Sequence, residues 1–187
     1  MPHLILASRS PQRRAILSQL GVDFEARVPD VAEREQGPVP EIALDNARRK
    51  AAFVAAQAPG ACVLGVDTVV ALDDLVYGKP ADSASARATL QALSGREHTV
   101  HSGVCLIADE RERTAVASTQ VQFRVLHSAL IEWYVAAQEW RERAGGYAIQ
   151  GRGAALVTRI EGDYSNVVGL PVATLLSLAP DLLSGLA

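Results

Sequence analysis

The hydrophobic pattern changes period early in the chain. Residues 4–7 are continuously apolar and predict a short buried strand. Ser10-Pro11 then supplies a helix cap followed by proline at the first helical position, where its missing N–H costs nothing. Ile16, Leu17 and Leu20 form the apolar face of that helix, and Gly21 ends it. Residues 22–28 are strand-like, and residues 29–40, with three prolines among mixed charges, read as a loop. A second helix is expected over residues 41–57, with Ile42, Leu44, Ala47, Ala51 and Val54 near one stripe, until Pro59-Gly60 breaks it. Residues 62–72 are so continuously apolar that they predict a buried strand, interrupted by one charge, Asp67.

Asp73-Asp74 then marks a turn, residues 76–77 a short return strand, and residues 83–93 a helix stopped by Ser94-Gly95. Residues 98–108 and 114–125 predict an antiparallel pair around a charged turn at 109–113. A helix follows from Ser128 to about residue 138, then a glycine-rich stretch at 145–153. The chain closes with a strand at 154–160, a turn at 162–163 and a helix over 170–178. Alternating strands and helices giving way to a hairpin predict an α/β fold with a mixed sheet rather than a purely parallel one.

Composition narrows the function classes. The chain has 187 residues, long enough for one compact unit spanning 1–187, and its 49% hydrophobic and 21% charged content is that of a soluble globular protein. A net charge of −3 with both signs interspersed argues against a nonspecific nucleic-acid binder, while a small anionic ligand needs only a local basic pocket. Cys62 and Cys105 lie far apart in apolar stretches without a CxxC, so buried thiols in a reducing compartment are expected. The first apolar run is too short for a signal peptide, and no run of about 18 apolar residues occurs. The expected location is the cytoplasm, with no membrane span.

Three clusters could carry chemistry. Arg13 and Arg14 stand in the first turn of a helix, whose N-terminus already carries roughly half a positive charge. Either a bound phosphate offsets them, held by backbone N–H groups, Ser8 or Ser10 and an Arg13 clamp, or they pair with surface carboxylates such as Glu25. Asp67, in LGVDTVV, must be paired, hydrogen-bonded or metal-bound, because desolvating a lone carboxylate is costly. It suits a general base or a ligand to a hard cation, unless it is a structural aspartate bonded to loop amides.

Lys50, in Arg48-Arg49-Lys50, reads by itself as part of a solvated charge run, whereas Lys79, in GKP, sits in a turn that leaves its ammonium little freedom. Glu33, in the proline-bounded loop, offers a second carboxylate for a metal. In GGYAIQGRG the glycines permit close backbone approach, and Gln150 offers a donor and an acceptor suited to a base edge. A bulged turn between strands would read the same way. His98 and His101 fall on opposite faces of a strand and make a poor metal pair. No GxxxxGK[ST], GxSxG or HExxH occurs.

Taken in order, LASRSPQRRAILSQLGV, LGVDTVV, GKP, ALSGREHTVHSGVCL, GGYAIQG and VVGLP resemble the Maf family of septum-formation proteins over nearly the whole chain. The resemblance implies an elongated mixed α/β fold, similar to inosine triphosphatases, with a nucleotide cleft between two lobes. It implies a nucleoside triphosphate pyrophosphatase: water attacks the α-phosphorus and diphosphate leaves. A divalent cation (Mg²⁺ or Mn²⁺), a homodimer and a link to cell-division arrest and nucleotide-pool cleaning come with it.

On this resemblance Asp67 is the proton acceptor, Ser8, Arg13, Lys50 and Lys79 surround the phosphates, and Glu33 with Asp67 contacts the metal. In the branch acting on dTTP and UTP the positions of Gln12, Thr68 and Gln150 usually hold arginine, threonine and glutamine, so this chain matches at two and departs at Gln12. A branch acting on 7-methyl-GTP has glutamate at the position of Gln150. An amide there pairs with the mixed edge of a pyrimidine. Two other functions remain compatible with the same phosphate cradle: a nucleotidyltransferase, and a nucleotide-dependent binding protein that restrains septation.

Overall fold

The computed structural model describes residues 3–109 and 111–183. Glu110, in the expected charged turn, and both ends of the expected 1–187 unit lie outside the described residues. Strand β1 (Leu4–Ala7) runs parallel to β2 (Phe24–Arg27) on one side and to β3 (Cys62–Leu72) on the other. Helix α1 (Pro11–Gln19) links β1 to β2, and α2 (Val39–Ala55) links β2 to β3. The rest of the sheet is antiparallel: β3 pairs with β4 (Leu75–Tyr77) and with β5 (Glu97–Ala108), β5 with β6 (Arg111–Phe123), and β6 with β7 (Val157–Glu161). Its order is β2-β1-β3-β5-β6-β7, with β4 against the far end of β3, which is the mixed sheet expected. No helix among the described residues is long and apolar enough to cross a membrane.

The long central strand serves two cores. On one face of β3, Leu64 and Val66 pack with Leu6, Leu17, Leu106 and Leu175, whereas Val70 and Leu72 pack with Leu90, Leu93, Phe123 and Tyr134. Thr68 lies where one lobe gives way to the other. The ladder opens at the same place. On the side away from β5, β1 pairs with residues 62–65 and β4 with residues 70–72, leaving residues 66–69 without a strand there among the described residues. That interruption is where a cleft can enter the sheet.

Two glycines set α2 against the opposite face. A Cβ at Gly65 would lie 2.2 Å from the Ala47 carbonyl oxygen, and one at Gly103 2.3 Å from that of Ala43. The helix therefore lies directly on the strand backbone.

Several boundaries differ from the expected ones. Helix α2 begins at Val39 because Pro40 is tolerated in a first turn, so the loop is shorter than its prolines suggest. Strand β6 begins at Arg111 rather than residue 114, because its leading charges have partners: Glu112 takes Arg48 at 2.7 Å, and Arg113 donates to the Leu178 carbonyl at 2.6 Å. Helix α4 (Ser128–Ala136) stops before residue 138, where Gln138 has φ +59°. Residues Arg152–Leu156 form a 3-10 turn, so the last strand starts at Val157 instead of 154. The expected helix at 170–178 is α6 (Val172–Leu178), and an unexpected short helix, α5 (Tyr164–Val168), precedes it and ends at Gly169. Helix α3 (Ser83–Leu93) is as expected, entered through a reciprocal cap between Asp82 and Ser85. Both cysteines are buried and free, as expected.

Candidate active site

A cavity of about 790 Å³ opens at the gap in the sheet. The structure brings every sequence-predicted site residue to its wall: Ser8, Gln12, Arg13, Glu33, Lys50, Asp67, Thr68, Lys79 and Gln150. Its charged lining holds six cations, Arg9, Arg13, Arg34, Lys50, Lys79 and Arg143, against four carboxylates, Glu33, Glu35, Asp67 and Glu142. A chain of net charge −3 thus concentrates positive charge in one concave place, which favours an anion.

Strand alternation sends Asp67 and Thr68 to opposite faces of β3. Asp67 faces α2 and is buried. Its Oδ1 accepts from Lys50 Nζ at 2.5 Å and its Oδ2 from Asn46 Nδ2 at 3.2 Å. The same ammonium reaches Glu33 Oε1 at 2.6 Å. Lys50 is therefore no solvated charge, contrary to its reading from the charge run alone. Arg48 and Arg49 do stay outside, paired with Glu112 and Asp45, but one further helical step rotates Lys50 inward beside Asn46. Burial works to raise the Glu33 carboxyl, yet the Lys50 hydrogen bond and charge, with Lys79 and Arg13 beyond, hold it below its ordinary value.

Thr68 faces α1 and Arg13. The Arg13 guanidinium is buried and donates to Gly169 O at 2.8 Å, Ser8 Oγ at 3.1 Å and Thr68 Oγ1 at 3.1 Å. The surface-pair alternative does not hold for Arg13, since Glu25 is taken by Arg27 at 2.7 Å and all three acceptors of Arg13 are neutral. Burial pushes its pKa down, opposed by the charges of Asp67 and Glu33. Ser10 caps α1 and also donates to Gln12 Oε1 at 3.0 Å, while the Arg14 guanidinium reaches the Ser8 carbonyl oxygen at 3.5 Å. A buried cation at a helix N-terminus, held only by neutral oxygens, is half of an anion site.

The other wall is looser. Lys79 is half-exposed and lies 3.4 Å from Glu142, so its turn restrains the backbone rather than the ammonium. Gln150 is exposed to the cavity. Tyr147 lines it from below, its hydroxyl 2.9 Å from buried His98 Nε2, while His101 points to the other face and bonds Ser118. Apolar side chains, Val70, Val76, Val100 and Val168 among them, complete this end.

Sequence reasoning missed Asn46, the Gly169 carbonyl and the arginines at 9, 34 and 143. Asn46 had a signal, a poor helix former inside a helix of good ones, four residues before Lys50. The Gly169 carbonyl had none beyond the VVGLP string.

The profile of the Maf-like protein family matches residues 3–182. The chain belongs to this family. It is similar to the dTTP/UTP pyrophosphatase of Deinococcus radiodurans, 47% identical over 178 residues that cover 95% of this chain and 91% of the relative. It is similar also to the dTTP/UTP pyrophosphatase of Pyrococcus furiosus, 45% identical over 181 residues covering 95% and 94%. Among solved structures, the Ham1 protein of Staphylococcus aureus aligns with 65% of this chain and 71% of its own, at 15% identity and a TM-score of 0.48. Within the matched residues, the β1–α1 turn, the middle of β3, the Gly78-Lys79 turn and the 142–150 segment contribute to the cavity lining.

Proposed function

We propose that this Maf-like protein is a nucleoside triphosphate pyrophosphatase that converts dTTP, UTP or modified pyrimidine triphosphates to the monophosphate and diphosphate. One observation carries this reading: a buried carboxylate, Asp67, shares a cavity with Arg13, Lys50 and Lys79, in a chain whose relatives are named for this activity over nearly their whole length. Asp67 takes the proton of the water that attacks the α-phosphorus. Arg13, with Ser8 and the first turn of α1, receives phosphate oxygens, and Lys79 at the mouth exchanges Glu142 for the departing diphosphate. Lys50 holds Asp67 in orientation between turnovers. Thr68, Gln12 and Gln150 select the base, with Gln150 offering an amide to the pyrimidine edge.

A divalent cation, Mg²⁺ or Mn²⁺, fits these residues. Asp67 and Glu33 converge on one cationic point, the Lys50 ammonium, so the two carboxylates are already arranged to share a positive charge. Among the described residues no third His, Cys, Asp or Glu joins them, which suits an ion that draws its remaining oxygens from substrate phosphates and water. When bound, the ion would neutralise phosphate charge and make water more acidic. The reading extends to a homodimer in the cytoplasm and, through the family, to septum formation.

The test is to incubate the protein with Mg²⁺ or Mn²⁺ and each of a panel of ordinary and modified triphosphates, with no second substrate, and to quantify diphosphate and monophosphate. Equimolar release from dTTP and UTP is expected. No release from any triphosphate, or release only after a sugar phosphate is added, overturns the proposal, the latter in favour of nucleotidyl transfer.

A further inference from the structure

Resting on the function proposed above, we infer that Asn46 is a positioning residue that locks the 28–38 loop to the base, so that Glu33 and Asp67 are presented as one unit. Asn46 is buried and spends its side-chain amide on two elements at once. Its Oδ1 accepts from the Arg34 backbone N–H at 2.6 Å, while its Nδ2 donates to the Arg34 carbonyl at 3.1 Å and to Asp67 Oδ2 at 3.2 Å. The side chain thus mimics a neighbouring strand for a single residue of a loop that is otherwise irregular. One helical turn on, Lys50 repeats the arrangement with charge, joining the Glu33 side chain to the other Asp67 oxygen.

The two helix residues therefore close a ring: Glu33, Lys50, Asp67, Asn46, the Arg34 backbone, and back to Glu33. Each Asp67 oxygen is held by a different donor, and each donor also holds the loop. Removing Lys50 deletes charge as well as geometry. Asn46 is the neutral half, and its loss isolates the geometry.

Because the amide acts through Asp67 and the loop rather than on the nucleotide, its removal should lower kcat while leaving substrate binding nearly intact. For Asn46→Leu, which keeps the branched shape and cannot hydrogen-bond, we expect kcat for diphosphate release to fall by roughly 10- to 100-fold, with KM within about threefold of wild type. Trypsin cleavage after Arg34, followed by mass spectrometry on the native protein, should accelerate in the same variant. Asn46→Asp separates the two attachments: it keeps an acceptor for the Arg34 N–H, so cleavage should stay closer to wild type, yet it offers Asp67 no donor, so kcat should fall as far.

A wild-type kcat in Asn46→Leu, or an unchanged cleavage rate after Arg34, overturns the inference. So does a fall in kcat matched by an equal rise in KM, which would mark Asn46 as a substrate contact. If the leucine variant does not fold, Asn46→Asp decides by the same kcat and KM criteria. A wild-type protein that releases no diphosphate overturns the proposed function instead, and the cleavage rates then judge the loop attachment without it.

Discussion

At the floor of the cavity the Lys50 ammonium meets Asp67 at 2.5 Å and Glu33 at 2.6 Å, and its side chain is 11% exposed. At the rim Lys79 lies 3.4 Å from Glu142, with side chains 52% and 74% exposed. Both are lysine–carboxylate contacts, but they do different work. A buried pair interacts at low effective dielectric and is costly to break, so it fixes geometry before substrate arrives. An exposed pair is worth about 0–1 kcal/mol, so a phosphate can replace the carboxylate at little cost. One cavity thus combines a rigid floor with an exchangeable mouth.

The sharpest way to break this contrast is Asp67→Asn, which keeps the shape of the floor and removes the carboxylate proposed as base. Turnover of dTTP or UTP should fall by roughly 10²–10⁴-fold, while nucleotide affinity measured by calorimetry changes little. An Asp67→Asn protein with near wild-type turnover would remove the base from the proposed reaction. Next in size is Lys50→Met, which strands a buried carboxylate. We expect a loss of about 3 kcal/mol in urea unfolding, at the low end for a broken buried pair because the cavity admits water. If stability is unchanged, the floor pair is no more fixed than the rim.

Beneath the other wall, His98 tests burial without a salt bridge. Desolvation pushes its imidazole down from an ordinary value of 6.5 to about 4. The unfolded chain therefore takes the proton first as pH falls. Stability should hold above pH 6.5 and drain by about 2–3 kcal/mol between there and pH 4. His98→Gln, which can still bond the Tyr147 hydroxyl, should flatten that slope in denaturant titrations run at several pH values. The smallest effects belong to the rim. Lys79→Ala and Glu142→Gln should each change stability by no more than about 1 kcal/mol, whereas Lys79→Ala raises KM and Glu142→Gln does not.

The floor was also the more legible half in the sequence. Asp67 stood out because a lone charge in an unbroken apolar strand demands a partner, and Arg13 because two arginines oppose the positive end of a helix. Both are local conflicts, visible without tertiary contacts. Lys50 was read wrongly from its neighbours, since a charge run does not say which of three adjacent residues the helix turns inward. Asn46 and the Gly169 carbonyl act through long-range hydrogen bonds, to Asp67 and to Arg13, which no local pattern encodes. In the fold, the strands were legible where burial is continuous. Boundaries failed where charges in β6 found partners on other elements, and where 3-10 geometry took over the residues before β7.

The closeness of α2 to the sheet has one more consequence. Gly103 lies directly across from Asp67 in the β3–β5 register, and Gly65 precedes it by two residues on the same face. The bare backbone at these two points sets the standoff from which short reaches by an amide and an ammonium span to the carboxylate. A single methyl group at either position would act as a shim under the helix and disable the chemistry of a residue it never touches.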